Sequence, residues 1–259
     1  MLLVNIQTKQ PKNQAFPLQK SQNISLKAEF FLSLQAKIHT MSRKKLERFA
    51  HNQQSPYIIE AGKPFYEHCK GRWLQEYFHN EQPIVLELAC GRGEYTTGLA
   101  AEHPHKNFIG VDIKGARIWK GSSVAEAQDL QNVAFLRAYI QNLEQFFAPQ
   151  EVQDIWLIHP DPRPRSKDEK RRLTHPRFLE MYRRLMQPQG TLHFKTDNAD
   201  LFEYSMEVLA QSPIQNLAWT DNLQESPLLA EHFGIRTKYE LAFEAKGSKI
   251  HYLRFQFLP

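Results

Sequence analysis

Val85-Leu86-Glu87-Leu88-Ala89-Cys90-Gly91-Arg92-Gly93-Glu94 runs from a short apolar stretch into two closely spaced glycines and on into a helical pattern. A buried strand that turns directly into a helix needs glycine where φ is positive and where a ligand must approach the backbone. The dinucleotide fingerprint G-x-G-x-x-G would require a third glycine at position 96, where this chain has Thr96. Glu87, four residues ahead of Gly91, suits a cofactor that carries an amino acid on a nucleoside, because a carboxylate there can engage ammonium and ribose groups. Nineteen residues beyond Gly93, Phe108-Ile109-Gly110-Val111-Asp112 ends a second apolar stretch in an acid, placed to accept from both ribose hydroxyls. Glu87, Gly91, Gly93 and Asp112 are therefore expected to form one cofactor site. The alternative is an ordinary strand-to-helix turn with a surface aspartate.

Outward from this loop, apolar runs at 84–88, 108–111, 133–136, 155–158 and 191–194 alternate with helical patterns at 94–102, 116–130, 141–147 and 176–186. This alternation predicts an α/β fold with a mostly parallel, doubly wound sheet whose ligands bind at the carboxyl ends of the strands. Residues 251–257 alternate polar and apolar and predict an added antiparallel C-terminal strand. The expected organisation is a poorly ordered extension over 1–40, an N-terminal arm and helix over 41–82, and the main domain over 83–259. The extension is rich in Gln, Lys, Asn and Ser, and its five lysines face the single acid Glu29. Met41 offers a second possible start of translation.

With 259 residues, 41% of them hydrophobic, the chain can bury one sizeable core but not two full domains. No apolar run approaches the roughly 18 residues of a spanning helix, so a membrane partner is not expected. Two cysteines, Cys69 and Cys90, give neither a disulfide framework nor metal-ligand spacing, and no metal is expected. The net charge of +5 is modest and sits largely in the N-terminal extension, so its distribution matters more than its total. His159 and His193 read as hydrogen-bonded residues, and Trp73, Trp119, Trp156 and Trp219 as buried or partly buried.

After the fourth strand comes Ile155-Trp-Leu-Ile-His159-Pro-Asp161-Pro-Arg163-Pro-Arg165, in which three prolines fix the backbone around Asp161. A basic run follows: Lys167, Lys170, Arg171 and Arg172, then Arg177, Arg183 and Arg184. Its position beside the cofactor edge favours contact with nucleic-acid phosphates over a merely solvated helix face. Arg43-Lys44-Lys45 and Arg48 read as an arm that closes over the same ligand.

The loop His159-Pro-Asp-Pro-Arg-Pro164, the run Lys170-Arg-Arg-Leu173, the strand end Phe194-Lys-Thr-Asp197 and the later Thr237-Lys-Tyr-Glu240 together resemble the ordered motif set of the bacterial tRNA (guanine-N7)-methyltransferases. The resemblance runs from about Met41 onward in the same order and spacing. It implies a Rossmann-like S-adenosylmethionine-dependent methyltransferase fold, with S-adenosyl-L-methionine as cofactor, and tRNA as partner. It further implies a cytoplasmic monomer or homodimer that methylates N7 of guanine 46 in the variable loop. By position, Glu87, Asp112 and Asp161 would contact cofactor, Asp161 would be catalytic, and Arg165, Asp197, Thr237, Lys238, Tyr239 and Glu240 would meet substrate. Three features depart from the family pattern: Ala89 stands where a further glycine is common, His159 and Arg163 replace the Phe and Trp that flank Pro-Asp-Pro, and Tyr139 stands near the usual adenine-binding acid, which it would replace by stacking. A small-molecule methyltransferase and a non-catalytic RNA-binding protein on the same fold are the rival readings.

Overall fold

The computed structural model describes residues 43–245 and 247–258; the extension expected over 1–40 lies outside them. The contacts below all fall within one compact unit, Glu47–Pro259. Its helices are α1 (Arg43–Gln54, whose first turn precedes the unit), α2 (Glu94–Glu102), α3 (Gly115–Ala127), α4 (Pro176–Leu185), α5 (Ala199–Ala210) and α6 (Lys238–Glu244). Its strands are β1 (Ile58–Ile59), β2 (Ile84–Leu88), β3 (Asn107–Val111), β4 (Val133–Leu136), β5 (Val152–Ile158), β6 (Thr191–Thr196), β7 (Ile214–Thr220) and β8 (His251–Phe257). Among the described residues they form one sheet in the order β1-β4-β3-β2-β5-β6-β8-β7, parallel except where β8 pairs with β6 and β7.

Every residue of β2, β3 and β4 is buried, as a parallel sheet covered on both faces demands. Alternation sorts their side chains. Leu86, Leu88, Ile109, Val111, Ile155 and Leu157 pack on one face with Trp73, Phe147, Tyr182 and Phe202. On the other face, Val85, Phe108, Phe135 and Trp156 pack with Tyr95, Leu99 and Ile118 from α2 and α3.

Chain order reverses between β2 and β5, which are neighbours paired with Leu88 opposite Leu157. A crevice opens at such a reversal beyond the carboxyl ends of the strands. The glycine loop leaves β2 on one side of it and the Pro-Asp-Pro loop leaves β5 on the other.

Four expectations need adjustment. The C-terminal strand is not the only antiparallel one: β7 flanks β8 at the sheet edge, where a bulge between Gln215 and Ala218 and Asn216 at φ 55° spoil its alternation. Helix α3 ends at Ala127, three residues early, because Asp129 turns to φ 51° and Leu130 folds back to donate to the Ala125 carbonyl at 3.0 Å. The segment around 141–147 is a 3-10 turn, Ile140–Gln145, whose Leu143 and following Phe146 and Phe147 all enter the core before Pro149 stops it. Trp219 on the edge strand is 53% exposed. Among the described residues no helix is long and apolar enough to cross a membrane.

Candidate active site

Backbone conformation makes the cofactor loop. Ala89, Gly91 and Gly93 all have positive φ, 58°, 56° and 70°, and the Cys90 amide donates to the Val111 carbonyl, prolonging the β2–β3 ladder for one residue. The two glycines differ in purpose. A Cβ on Gly93 would lie 2.5 Å from the Phe135 ring, whereas one on Gly91 would meet nothing nearer than the Ala89 carbonyl at 3.9 Å. Gly93 thus serves packing and Gly91 faces open space. The same ring fills the places that Cβ atoms on Gly110 and Gly121 would need, so three glycines form its socket.

Asp112 ties the loop to the end of β3, one carboxylate oxygen accepting from the Gly91 amide at 3.0 Å and the other from the Lys114 amide at 2.8 Å. Glu87 accepts from the Thr96 amide at 2.7 Å and from the Thr96 hydroxyl. Burial pushes the Glu87 carboxyl up to about 8, against the opposing pull of those hydrogen bonds. Ile113 and Tyr139 leave the adjacent strands β3 and β4 with 37% and 55% of their surface exposed, an unusual placement for an isoleucine. An unhindered glycine backbone, a strand-end carboxylate with lone pairs to spare, and two exposed apolar side chains fit a nucleoside cofactor bearing an amino acid.

Across the crevice, His159 and Arg163 hold the Pro-Asp-Pro loop at φ 45° and 48°, a strained conformation for both residue types. Asp161 projects with 61% of its side chain exposed and is met by Arg163, whose amide and Nε lie 3.2 Å from its two oxygens. Arg163, at the family's tryptophan position, is thus an ionic partner of Asp161. The His159 side chain is only 6% exposed; its amide donates to the Lys195 carbonyl at 2.8 Å, and its Nδ1 lies 3.1 Å from Asp197. The other ring nitrogen is 3.9 Å from Glu240.

Those contacts belong to a larger buried network. Lys195, with no exposed surface, places Nζ 2.6 Å from Glu240 and donates to the Tyr95 hydroxyl at 2.6 Å; that oxygen is 2.8 Å from His232 Nδ1. Burial would raise the Glu240 carboxyl, but His159 and Lys195 reverse this and hold it down at about 2. Burial likewise disfavours the His159 cation, yet the two flanking carboxylates, Asp197 and Glu240, raise its pKa. Burial beside Lys195 drives His232 down to about 3, so it is neutral.

The motif Thr237-Lys-Tyr-Glu240 therefore divides. Thr237 and Glu240 are buried and cap α6 reciprocally, the Thr237 hydroxyl accepting from the Glu240 amide at 3.0 Å, while Lys238 and Tyr239 face outward. Arg165, 66% exposed at its side chain, pairs with Asp168 at 2.6 Å, and Arg171 reaches the same carboxylate at 3.3 Å. Arg183 and Arg184 pair with Glu180. Much of the basic run is thus neutralised within its own segment. The network's Lys195, Tyr95 and His232 had no role in the sequence reading; Lys195 was visible only as a letter inside Phe194-Lys-Thr-Asp197.

A family model describing methyltransferases matches residues 81–253. The tRNA (guanine-N(7)-)-methyltransferase of Cytophaga hutchinsonii is 51% identical over 221 residues, which cover 85% of this chain and 100% of that protein. Its counterpart in Bacteroides thetaiotaomicron is 41% identical over 222 residues, 83% and 86% of the two chains. Among solved structures, the 16S rRNA methyltransferase KamB aligns at TM-score 0.55 and 14% identity over 72% of this chain and 93% of its own, a likeness of fold. An antibiotic-related methyltransferase does so at TM-score 0.53 and 16% identity, over 72% and 92%.

Proposed function

The chain belongs to the tRNA (guanine-N7)-methyltransferase family, and on that premise we propose that it transfers the methyl group of S-adenosylmethionine to N7 of guanine 46 in the tRNA variable loop. The observation that carries this reading is the exposed carboxylate of Asp161, held on a proline-fixed loop that leaves β5, the strand paired with the β2 that leads into the Gly91 loop. It acts in the cytoplasm, as a monomer or homodimer.

S-adenosylmethionine, when bound, supplies an electrophilic methyl group on a positively charged sulfur. The Gly91 backbone would admit it, Asp112 would accept from its ribose, Tyr139 and Ile113 would flank its adenine, and Glu87, once ionised, would answer its ammonium. Guanine N7 carries an unprotonated lone pair, so no general base is required and alignment with exclusion of water does most of the work. Alkylation leaves the base cationic. Asp161, placed at the crevice mouth, stabilises that developing charge and accepts from the N1 and N2 donors of guanine. Asp197, through His159, fixes the loop that carries Asp161. Arg165, Lys238 and Tyr239 meet the RNA from the rim.

Incubation of the protein with labelled cofactor and unmodified tRNA, followed by mapping of the methylated base, tests the assignment; methyl on any atom other than guanine N7 overturns it. Asp161→Asn keeps the shape and removes the charge. It should slow single-turnover methyl transfer about 100-fold or more while calorimetric cofactor affinity changes little.

A further inference from the structure

A cavity of about 360 Å³ opens beside the glycine loop, lined by residues from four separate segments. Arg48 comes from α1, Arg92 lies between the two loop glycines, Arg117 and Lys120 lie on the first turns of α3, and Lys238 begins α6. Trp119 and Tyr239 complete the lining that matters here. Arg48 lies over the Trp119 ring at 4.8 Å, while Tyr239 is 53% exposed and offers an uncovered aromatic face.

What distinguishes this groove from the basic run after β5 is its unbalanced charge. In the loop and run after β5, Arg163, Arg165 and Arg171 each have a carboxylate partner and Arg172 donates to the Arg163 carbonyl, which leaves Lys167, Lys170 and Arg177 without one among the described residues. None of the five cations of the groove forms an ion pair with a carboxylate among the described residues. Converging like charges repel, and a fold tolerates them where a polyanion is to be received. A small anion would satisfy one or two of them. Five cations, spread over four segments and ending at the methyl-donor loop, match successive phosphates of a nucleic-acid strand, with Tyr239 available to stack on a base or ribose.

We propose that this groove, rather than the basic run alone, grips the phosphate backbone of the RNA substrate and leads the strand to the cofactor edge. The inference rests on the tRNA reading above and adds to it the face on which the RNA lies. The sequence marked Arg48 and Lys238 separately but could not disclose the groove, because Arg92, Arg117 and Lys120 lie in no basic run and the five cations meet only in the fold.

The test is a salt titration of tRNA binding by the full chain and by Arg117→Glu/Lys120→Glu, with cofactor affinity measured alongside. The double variant should bind tRNA at least about tenfold more weakly near 0.15 M salt, and its log K against log salt slope should shrink by about one or more, since each lost phosphate contact removes roughly 0.7–0.9. Cofactor affinity should be unchanged. The neutral pair Arg117→Gln/Lys120→Gln separates charge from misfolding: at an unaltered melting temperature it must reduce the slope in the same direction. Wild-type affinity and slope in both variants would overturn the groove while leaving the tRNA reading intact. A wild-type chain that binds tRNA through this groove but transfers no methyl would overturn that reading and spare the groove; one that neither binds nor methylates would overturn both.

Discussion

Glu87 stands where the sequence marks a ligand-binding acid, yet its nearest business is internal: it accepts two hydrogen bonds from Thr96, the residue that replaces the third glycine of a dinucleotide loop. Burial lifts its carboxyl from 4.5 to about 8, so between those values the folded protein keeps a proton that the unfolded chain has lost. Stability must then fall as pH rises through that window and level off above it. Glu87→Gln keeps an acceptor for Thr96 and abolishes the slope. Calorimetric melting without cofactor should show the variant gaining on the wild type from roughly pH 5 to pH 8, by up to a few kcal/mol; parallel curves would mean that the carboxylate is ionised throughout. Acids such as Asp112 and Asp161 were legible in the sequence because one directly follows an apolar run and the other comes three residues after one, so that strand geometry sends them to the carboxyl edge. Lys195 was not legible. A lysine near a strand end reads as solvated, and its partner Glu240 lies 45 residues further on, in a segment with no apolar pattern to announce a buried acid.

Elements pack here through small residues at unexpected places. Gly121 sits inside α3, where glycine weakens a helix by about 1 kcal/mol relative to alanine. The Phe135 ring of β4 accounts for it: an added Cβ would lie 2.5 Å from the ring and 2.9 Å from the Arg92 carbonyl, and the carbonyl cannot rotate away. Overpacking of this kind costs about 1–3 kcal/mol, which outweighs the gain in helix propensity. Gly121→Ala should therefore lower stability, by about 1–2 kcal/mol net in denaturant melts, and Phe135→Leu in the same chain should restore part of the loss; a stabilised Gly121→Ala would refute the socket. Strands β2 and β4 and helix α2 were readable to the residue, since a buried parallel strand is an unbroken apolar run and a glycine pair announces the helix after it. Helix α5 and edge strand β7 were not read. Helix α5 is capped by Asn198, which accepts from the Leu201 amide and follows the strand-end motif without a break, and β7 carries polar and exposed residues with its alternation broken at the bulge.

Across the molecule, the chain Tyr95–Lys195–Glu240–His159–Asp197 fastens α2, β6, α6 and both loops beyond β5 and β6 into one unit. Removing one member of a fully buried ion pair leaves an uncompensated charge, a loss of about 3–5 kcal/mol, whereas replacing both is often close to neutral. Lys195→Met should accordingly be strongly destabilising in denaturant melts, and Lys195→Met/Glu240→Gln much less so; equal losses in the two would mean that the pair contributes only packing. The same arrangement sets a schedule. Synthesis makes β5 and β6, with Asp161 and Asp197, before Glu240 and the helix that carries it. Until then the Pro-Asp-Pro loop is moored on one side only and an ammonium in the core waits for its counter-ion. A nascent or truncated chain stopping short of Glu240 therefore carries Glu87, Asp112, Asp161 and Asp197 without the brace that ties Lys195 and His159 to α6.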